Sequence, residues 1–111
     1  MNYIPFALVT VGCFLAAAGQ IFLKLGATGA QSVTDFVNIR TMFGFMLYGV
    51  GSVLWIIALA RLPLSKVYPF TILTFVLVYV ASATMLGEPM TRQVLLGAGL
   101  VLAGLLVITL A

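Results

Sequence analysis

The sequence predicts an all-α integral membrane protein with four transmembrane helices. Of its 111 residues, 64% are hydrophobic and only 6% are charged, whereas about a quarter of the residues in a soluble domain are charged. A transmembrane helix needs about 20 mostly apolar residues, and four stretches approach that length: 3–25, 42–60, 67–86 and 94–111. The alternating short segments of a transmembrane barrel do not occur in the sequence. We therefore expect residues 1–111 to form one four-helix domain.

We expect the first span to be a retained helix rather than a cleaved signal peptide, because no Lys or Arg precedes its apolar region and that region continues to Leu25.

The first span carries two polar residues on one face. Gln20 and Lys24 are four residues apart and lie on the same side of a helix. Gln20 lies more than one turn inside the apolar region and needs a partner, from a helix, water or a ligand. Lys24 either extends to the interface on its long stem or binds a ligand.

Residues 26–41 are expected to form the longest connection between helices, because they contain glycines, hydroxyl side chains, Asp35 and an arginine. Three apolar residues within it, Val33, Phe36 and Val37, predict a short turn that dips into the membrane interface. At the last connection, Thr91 is placed to cap the fourth helix.

Aromatic and polar side chains share one face of the second span and one face of the third. Trp55 lies near the middle of the second span, away from the interface where tryptophans concentrate, and is therefore a candidate cavity wall. The third span repeats hydroxyls and rings at spacings of three and four, which is typical of an amphiphile-binding groove and also of ordinary helix packing. With Gln20, the candidate cavity residues are Tyr48, Trp55, Tyr68, Thr71 and Phe75.

Pro69 is compatible with two different first residues of the third helix. If the helix begins near Ser65, Pro69 falls after the first turn, removes a backbone hydrogen bond and allows a bend. If the helix begins at Tyr68, Pro69 is an ordinary residue of the first turn.

The fourth span is almost free of polar side chains. Gly97 and Gly104 are seven residues apart on one face, and small residues let membrane helices approach closely. Four short spans enclose little space. We therefore predict a dimer, formed with a second copy or with a similar four-helix subunit, that packs partly through these glycines.

The residue types argue against enzymes and nucleic-acid-binding proteins. The chain has no histidine and one cysteine, and its two carboxylates, Asp35 and Glu88, lie in connections. The residues of general acid–base and nucleophilic catalysis are therefore missing, and we expect neither a metal nor a cofactor. The five cations lie at or near helix ends, which suits lipid headgroups, and form no cluster of the kind that nucleic acid requires. A transporter or an interaction subunit remains.

Three segments resemble the small multidrug resistance branch of the drug/metabolite transporter superfamily. They are "AAAGQIFLK", "LWIIALARLPLSKVYP" and "LGEPMTRQVLLGAGLVLAGLLVI", in this order along the chain. Within that group the sequence is most similar to the paired subunits of the aminoarabinose-phosphoundecaprenol flippase. The resemblance implies movement of a lipid-linked sugar across the bacterial inner membrane, before the sugar is added to lipid A.

One departure from the multidrug exporters concerns their membrane-embedded glutamate, eight residues before the lysine that ends the first helix. In this sequence that position is Ala16. Because such a carboxylate binds the cationic drug and exchanges it for protons, its absence disfavours cation antiport.

The flippase resemblance implies a substrate with an anionic phosphate, a hydroxyl-rich sugar and a long apolar tail. Charge-assisted hydrogen bonds to the phosphate are expected from Lys24 or Arg92 on one membrane side, and from Arg61 or Lys66 on the other. Contacts with sugar hydroxyls are expected from Gln20, Tyr48 and Tyr68. Two alternatives stay open. One is a small-cation or polyamine exporter whose partner subunit supplies the carboxylate, and the other is a non-transporting subunit that recruits a glycosyltransferase.

Overall fold

The structure is a computed structural model that describes residues 3–110, and all regular secondary structure within this range is helical. The α-helices are α1 (Ile4–Ala27), α2 (Ile39–Leu59), α3 (Leu64–Val67), α4 (Thr71–Thr84) and α5 (Arg92–Leu110). Two short 3₁₀ helices, Val33–Phe36 and Tyr68–Phe70, complete the set. Residues 1 and 2 of the predicted domain and residue 111 of the predicted fourth span lie outside the described residues.

Three helical segments of this range are long and apolar enough to cross a membrane: Ile4–Ala27, Ile39–Leu59 and Leu64–Thr84. The third comprises α3, the second 3₁₀ helix and α4. The last helix contributes a shorter apolar segment, Arg92–Ile108. The predicted all-α class with four helical segments is therefore confirmed.

Glycines spaced by seven residues bring α1 and α2 into close contact. A Cβ atom added to Gly19 would lie 2.8 Å from the carbonyl oxygen of Gly44, and one added to Gly51 would lie 2.9 Å from the carbonyl oxygen of Gly12. Side chains at these positions would therefore force the backbones apart. Small residues are the usual means of close helix packing in membranes, where lipid removes the hydrophobic drive for association.

Pro69 lies after the first turn of the third span, since that span begins at Leu64 and not at Tyr68. Proline has no N–H group and its ring obstructs the carbonyl four residues before it, so the α-helical pattern is interrupted. The chain passes through one 3₁₀ turn, Tyr68–Phe70, and resumes as an α-helix at Thr71. Of the two sequence-based alternatives, the structure shows the interrupted helix.

Two hydrogen bonds attach α1 to the third span, one at the end of this 3₁₀ turn and one in the first turn of α4. The thiol of the buried Cys13 donates to the carbonyl oxygen of Phe70 at 3.3 Å, and the Thr74 hydroxyl donates to the carbonyl oxygen of Cys13 at 3.4 Å. Val9 and Val67, both fully buried, belong to the same packed cluster. The interrupted end of the third span is therefore fixed against the middle of α1.

Side-chain caps order the connections. Asn38 accepts a hydrogen bond from the Thr41 amide at 3.0 Å and donates to the carbonyl oxygen of Gly26 at 2.8 Å, which links the end of α1 to the start of α2. The Asp35 carboxylate accepts from the backbone amides of Gln31 and Ser32, and these bonds hold its pKa below the ordinary value of 3.8.

The prediction that Thr91 caps the fourth helix is confirmed. Its hydroxyl oxygen accepts a hydrogen bond from the Val94 amide at 3.2 Å. The short turn predicted in the first connection is present as the 3₁₀ helix Val33–Phe36, and Val37 follows it. That this turn dips into the membrane interface stays a prediction. The side chain of Val33 is 84% exposed and that of Phe36 is 47% exposed.

Candidate substrate-binding groove

A groove of about 650 Å³ lies between α1, α2 and the third span. Helix α1 packs against both α2 and α4, which hardly contact each other. Helix α1 is therefore the floor of the groove, and the other two elements are its walls. Gly12, Ala16 and Gln20 face the groove from the floor, because residues four apart lie on one side of a helix.

The α2 wall carries Tyr48, Ser52 and Trp55, which are also spaced by three and four residues. The indole of Trp55 lies directly over Gly12, since a Cβ atom at Gly12 would be 2.6 Å from Cδ1 of Trp55. The Ser52 hydroxyl donates to the carbonyl oxygen of Tyr48 at 3.0 Å and is therefore already paired. This wall presents two aromatic rings with polar edges.

The opposite wall runs along the third span and carries Tyr68, Thr71, Phe75 and Tyr79. Phe75 and Tyr79 are stacked, with ring centroids 4.6 Å apart and ring planes inclined by 25°. A flat aromatic surface of this kind suits apolar C–H groups on one side and polar contacts at the phenol edge.

Gln20 is the most polar side chain of the groove, and no hydrogen bond joins its amide to another described residue. It lies seven residues before the end of α1, roughly 10 Å along the helix axis. The hydroxyls of Tyr48, Tyr68 and Thr71 are likewise unpaired within residues 3–110. An unpaired amide at the depth of Gln20 is costly in a membrane unless it bonds to water or a ligand. The groove therefore offers several hydrogen-bonding groups to a polar ligand.

None of the residues that line the groove is acidic or basic. At the position where the sequence resemblance expects a carboxylate in cation exporters, Ala16 contributes a methyl group to the floor. The groove therefore has hydrogen-bonding and aromatic groups but no counter-ion for a cation.

All six predicted cavity residues line this one groove: Gln20, Tyr48, Trp55, Tyr68, Thr71 and Phe75. Eight further residues line the groove beside these six: Gly12, Ala16, Ser52, Ile56, Leu59, Thr74, Val78 and Tyr79. They extend the same helical faces at spacings of three and four. That periodicity is visible in the sequence, but the apolar residues among them, such as Ile56, Leu59 and Val78, look the same in the sequence as residues that face lipid.

The four predicted phosphate-binding cations do not line the groove. Lys24 follows Gln20 by one turn, and its exposed side chain lies at the same end of the bundle as Arg92. Arg61 and Lys66 lie at the opposite end, where α2 connects to the third span. The cations therefore bracket the groove at its two ends.

Gly97 and Gly104 contribute nothing to the groove. A Cβ atom added at either position would meet no described atom within 4 Å outside the immediate helix backbone. These glycines therefore have no close-packing role within the chain. Their place in a dimer interface stays a prediction.

Comparison with known proteins finds relatives over nearly the whole chain. The probable 4-amino-4-deoxy-L-arabinose-phosphoundecaprenol flippase subunit ArnF of Klebsiella pneumoniae subsp. pneumoniae is 34% identical, over 92% of this chain and 90% of its own length. The subunit of the same name from Erwinia tasmaniensis is 40% identical over 85% of both chains. The probable flippase subunit ArnE of Serratia proteamaculans is 32% identical over 96% of both chains.

No protein-family model matches the chain, and no solved structure is significantly similar to it.

Proposed function

The chain belongs to the family of the aminoarabinose-phosphoundecaprenol flippase subunits ArnE and ArnF, and from this premise we propose that it moves a polyprenyl-phosphate-linked amino sugar across a bacterial inner membrane. It is a multi-pass membrane protein and a transporter component rather than an enzyme. Two named subunits among the relatives support assembly with a second, similar four-helix chain.

The observation that carries this proposal is the composition of the groove. It combines an unpaired amide, phenol and threonine hydroxyls and aromatic faces, and Ala16 stands where an exporter's carboxylate is expected. A neutral, hydrogen-bonding and aromatic surface suits a sugar. The same surface lacks the carboxylate with which an exporter exchanges a cationic drug for protons, which disfavours the small-cation alternative. The single ammonium of an amino sugar can instead lie against the aromatic rings of the groove.

Lys24 completes this site at the membrane surface. The rise from Gln20 to Lys24 is roughly 6 Å along α1, which is a suitable separation for a sugar and the phosphate attached to it. In the proposed binding mode, the Lys24 ammonium donates to the phosphate while the Gln20 amide meets a sugar hydroxyl. The polyprenyl chain leaves through the gap between α2 and α4, which hardly contact each other. Thus the polar head stays in the groove while the tail remains in lipid.

The experiment that tests the proposal is a flipping assay in sealed vesicles. A fluorescent short-chain polyprenyl phosphate sugar is supplied to vesicles that contain the purified chain, and a membrane-impermeant quencher reports the fraction that changes leaflet. Lys24→Gln should reduce initial-rate flipping about tenfold or more at low substrate, because a charge-assisted hydrogen bond contributes roughly 1.5–3 kcal/mol. Gln20→Leu should give a smaller defect that depends on the sugar.

Arg40→Gln is the matched control, because it removes one exposed cation from the same end of the bundle without touching the groove. It should flip substrate at the wild-type rate. If Lys24→Gln protein is folded and flips substrate as fast as the control, the lysine is an interfacial anchor and the proposed binding mode fails.

A further inference from the structure

A second cavity, of about 930 Å³, lies on another face of the bundle. We call it the fissure. It runs between the start of α1, the third span and the end of α5, and none of its lining residues belongs to the groove. The rings of Phe6 and Phe70, with centroids 6.0 Å apart, lie along it. Leu73, Val76 and Leu106 make much of the remaining wall apolar.

The polar groups of the fissure are concentrated at one end. Lys66 and Ser65 line it at the start of the third span, where that span leaves the connection after α2. The side chain of Lys66 is exposed and forms no ion pair with any described residue. The other hydroxyl of the fissure, that of Thr10, already donates to the carbonyl oxygen of Phe6 at 2.9 Å. The fissure is thus an apolar channel with one unpaired cation at its mouth.

The length of the fissure matches one leaflet of a bilayer. Along the third span it extends from Lys66 to Val76, ten residues or roughly 15 Å at 1.5 Å per residue. The hydrocarbon core of a membrane is about 30 Å thick, so the fissure reaches from the interface to about the midplane. Lysines near the membrane surface attract anionic headgroups.

From this juxtaposition of an unpaired interfacial lysine and a leaflet-deep apolar channel, we propose that the fissure binds one anionic phospholipid of the surrounding leaflet. The headgroup phosphate accepts hydrogen bonds from Lys66 and Ser65, and one acyl chain lies between α1, the third span and α5. The bound acyl chain fills the space between α5 and α1. The fissure shares no residue with the groove, so this site does not rest on the proposed binding mode of Lys24 and Gln20. Lys66, which the family resemblance offers to the substrate phosphate, lines the fissure and not the groove.

The test is native mass spectrometry of the purified full chain, released from nanodiscs that contain equal amounts of phosphatidylglycerol and phosphatidylcholine. The wild-type chain should retain one phosphatidylglycerol. Lys66→Gln should lower its retention about tenfold, which corresponds to the loss of one charge-assisted hydrogen bond. Val76→Phe should lower retention of both lipids, because the larger ring occupies the channel.

Two controls match these variants. Arg40→Gln removes the same charge at the other end of the bundle, and Val80→Phe adds the same ring one turn further along α4, outside both cavities. Both should retain phosphatidylglycerol as the wild type does. Circular dichroism of each variant checks that it is folded, and Lys66→Gln tests the site without any change to helix packing.

Three results would overturn the proposal. The first is undiminished phosphatidylglycerol on both Lys66→Gln and Val76→Phe. The second is displacement of phosphatidylglycerol by an equal amount of short-chain polyprenyl phosphate, which would assign the fissure to the transported lipid. The third is a Val76→Phe chain that keeps its lipid but changes its self-association, which would assign the fissure to a second protein chain.

Discussion

Replacing Gly19 with alanine is expected to push α1 and α2 apart and to destabilise the fold. The new Cβ atom would lie 2.8 Å from the carbonyl oxygen of Gly44 and 2.9 Å from the backbone nitrogen of Tyr48. Both are backbone atoms and cannot rotate away. Ordinary contacts begin at 3.4 Å, so the helices must separate by about 0.6 Å at this point.

The expected cost is about 1–3 kcal/mol, the usual range for inserting one methyl group into a well-packed region. The separation also moves Tyr48, so the α2 wall of the groove shifts away from its floor. The measurement is reversible unfolding in mixed micelles, followed by far-ultraviolet circular dichroism as the fraction of denaturing detergent is raised.

Gly49→Ala on α2 is the matched control, because a Cβ atom there would meet nothing within 4 Å. Alanine is the better helix former by roughly 0.5–1 kcal/mol, so this variant should be as stable as the wild type or slightly more stable. The two substitutions add the same atom and are expected to have opposite signs. If Gly19→Ala is as stable as Gly49→Ala, the close α1–α2 contact is not present in the membrane-embedded protein.

Three further outcomes are expected. The pKa of Asp35 is lowered by the amides of Gln31 and Ser32, so its contribution to the order of the loop is present above about pH 3.8 and is lost as pH falls through the lower folded-state pKa. Hydrogen exchange of the Gln31 and Ser32 amides should therefore speed up in acid more than exchange of amides that bond to no titrating group. In Asp35→Asn, the two sets of amides should show the same dependence on pH. Gly97→Leu should weaken self-association in bilayers, measured by energy transfer between labelled chains, and undiminished association of both Gly97→Leu and Gly104→Leu would exclude this face from the dimer interface. Cells that express the chain alone should gain no resistance to quaternary ammonium drugs because Ala16 replaces the exporters' carboxylate, and proton-coupled export by the purified chain would contradict this reasoning.

The class of the protein and the residue types of its groove follow from the amino-acid sequence. Four apolar stretches in 111 residues leave few alternatives to a helical membrane bundle. Gln20 and Trp55 can be recognised as cavity residues because lipid gives no partner to an amide inside an apolar span or to the N–H of a mid-span indole. A residue whose chemistry conflicts with its surroundings can be found without coordinates.

Which helix faces contact each other follows only from the packing of the whole chain. Glycines at seven-residue spacing occur in α1, α2 and α5, and the sequence drew attention to the pair in α5, Gly97 and Gly104. Within the chain, the close contacts instead join Gly12 and Gly19 of α1 to α2. The spacing shows that small residues share one face of a helix, but which helix packs against that face depends on how all the helices pack together.

The start of the third span and the fissure were also decided by packing. Pro69 is compatible with a first turn or with an interrupted helix, and the choice depends on Leu64 beginning the helix and on Cys13 holding the carbonyl oxygen of Phe70. The fissure brings together residues as distant in sequence as Phe6, Lys66 and Leu106. Local sequence cannot predict such a cavity, because its walls are ordinary apolar residues and only the relative placement of three helices leaves the space between them.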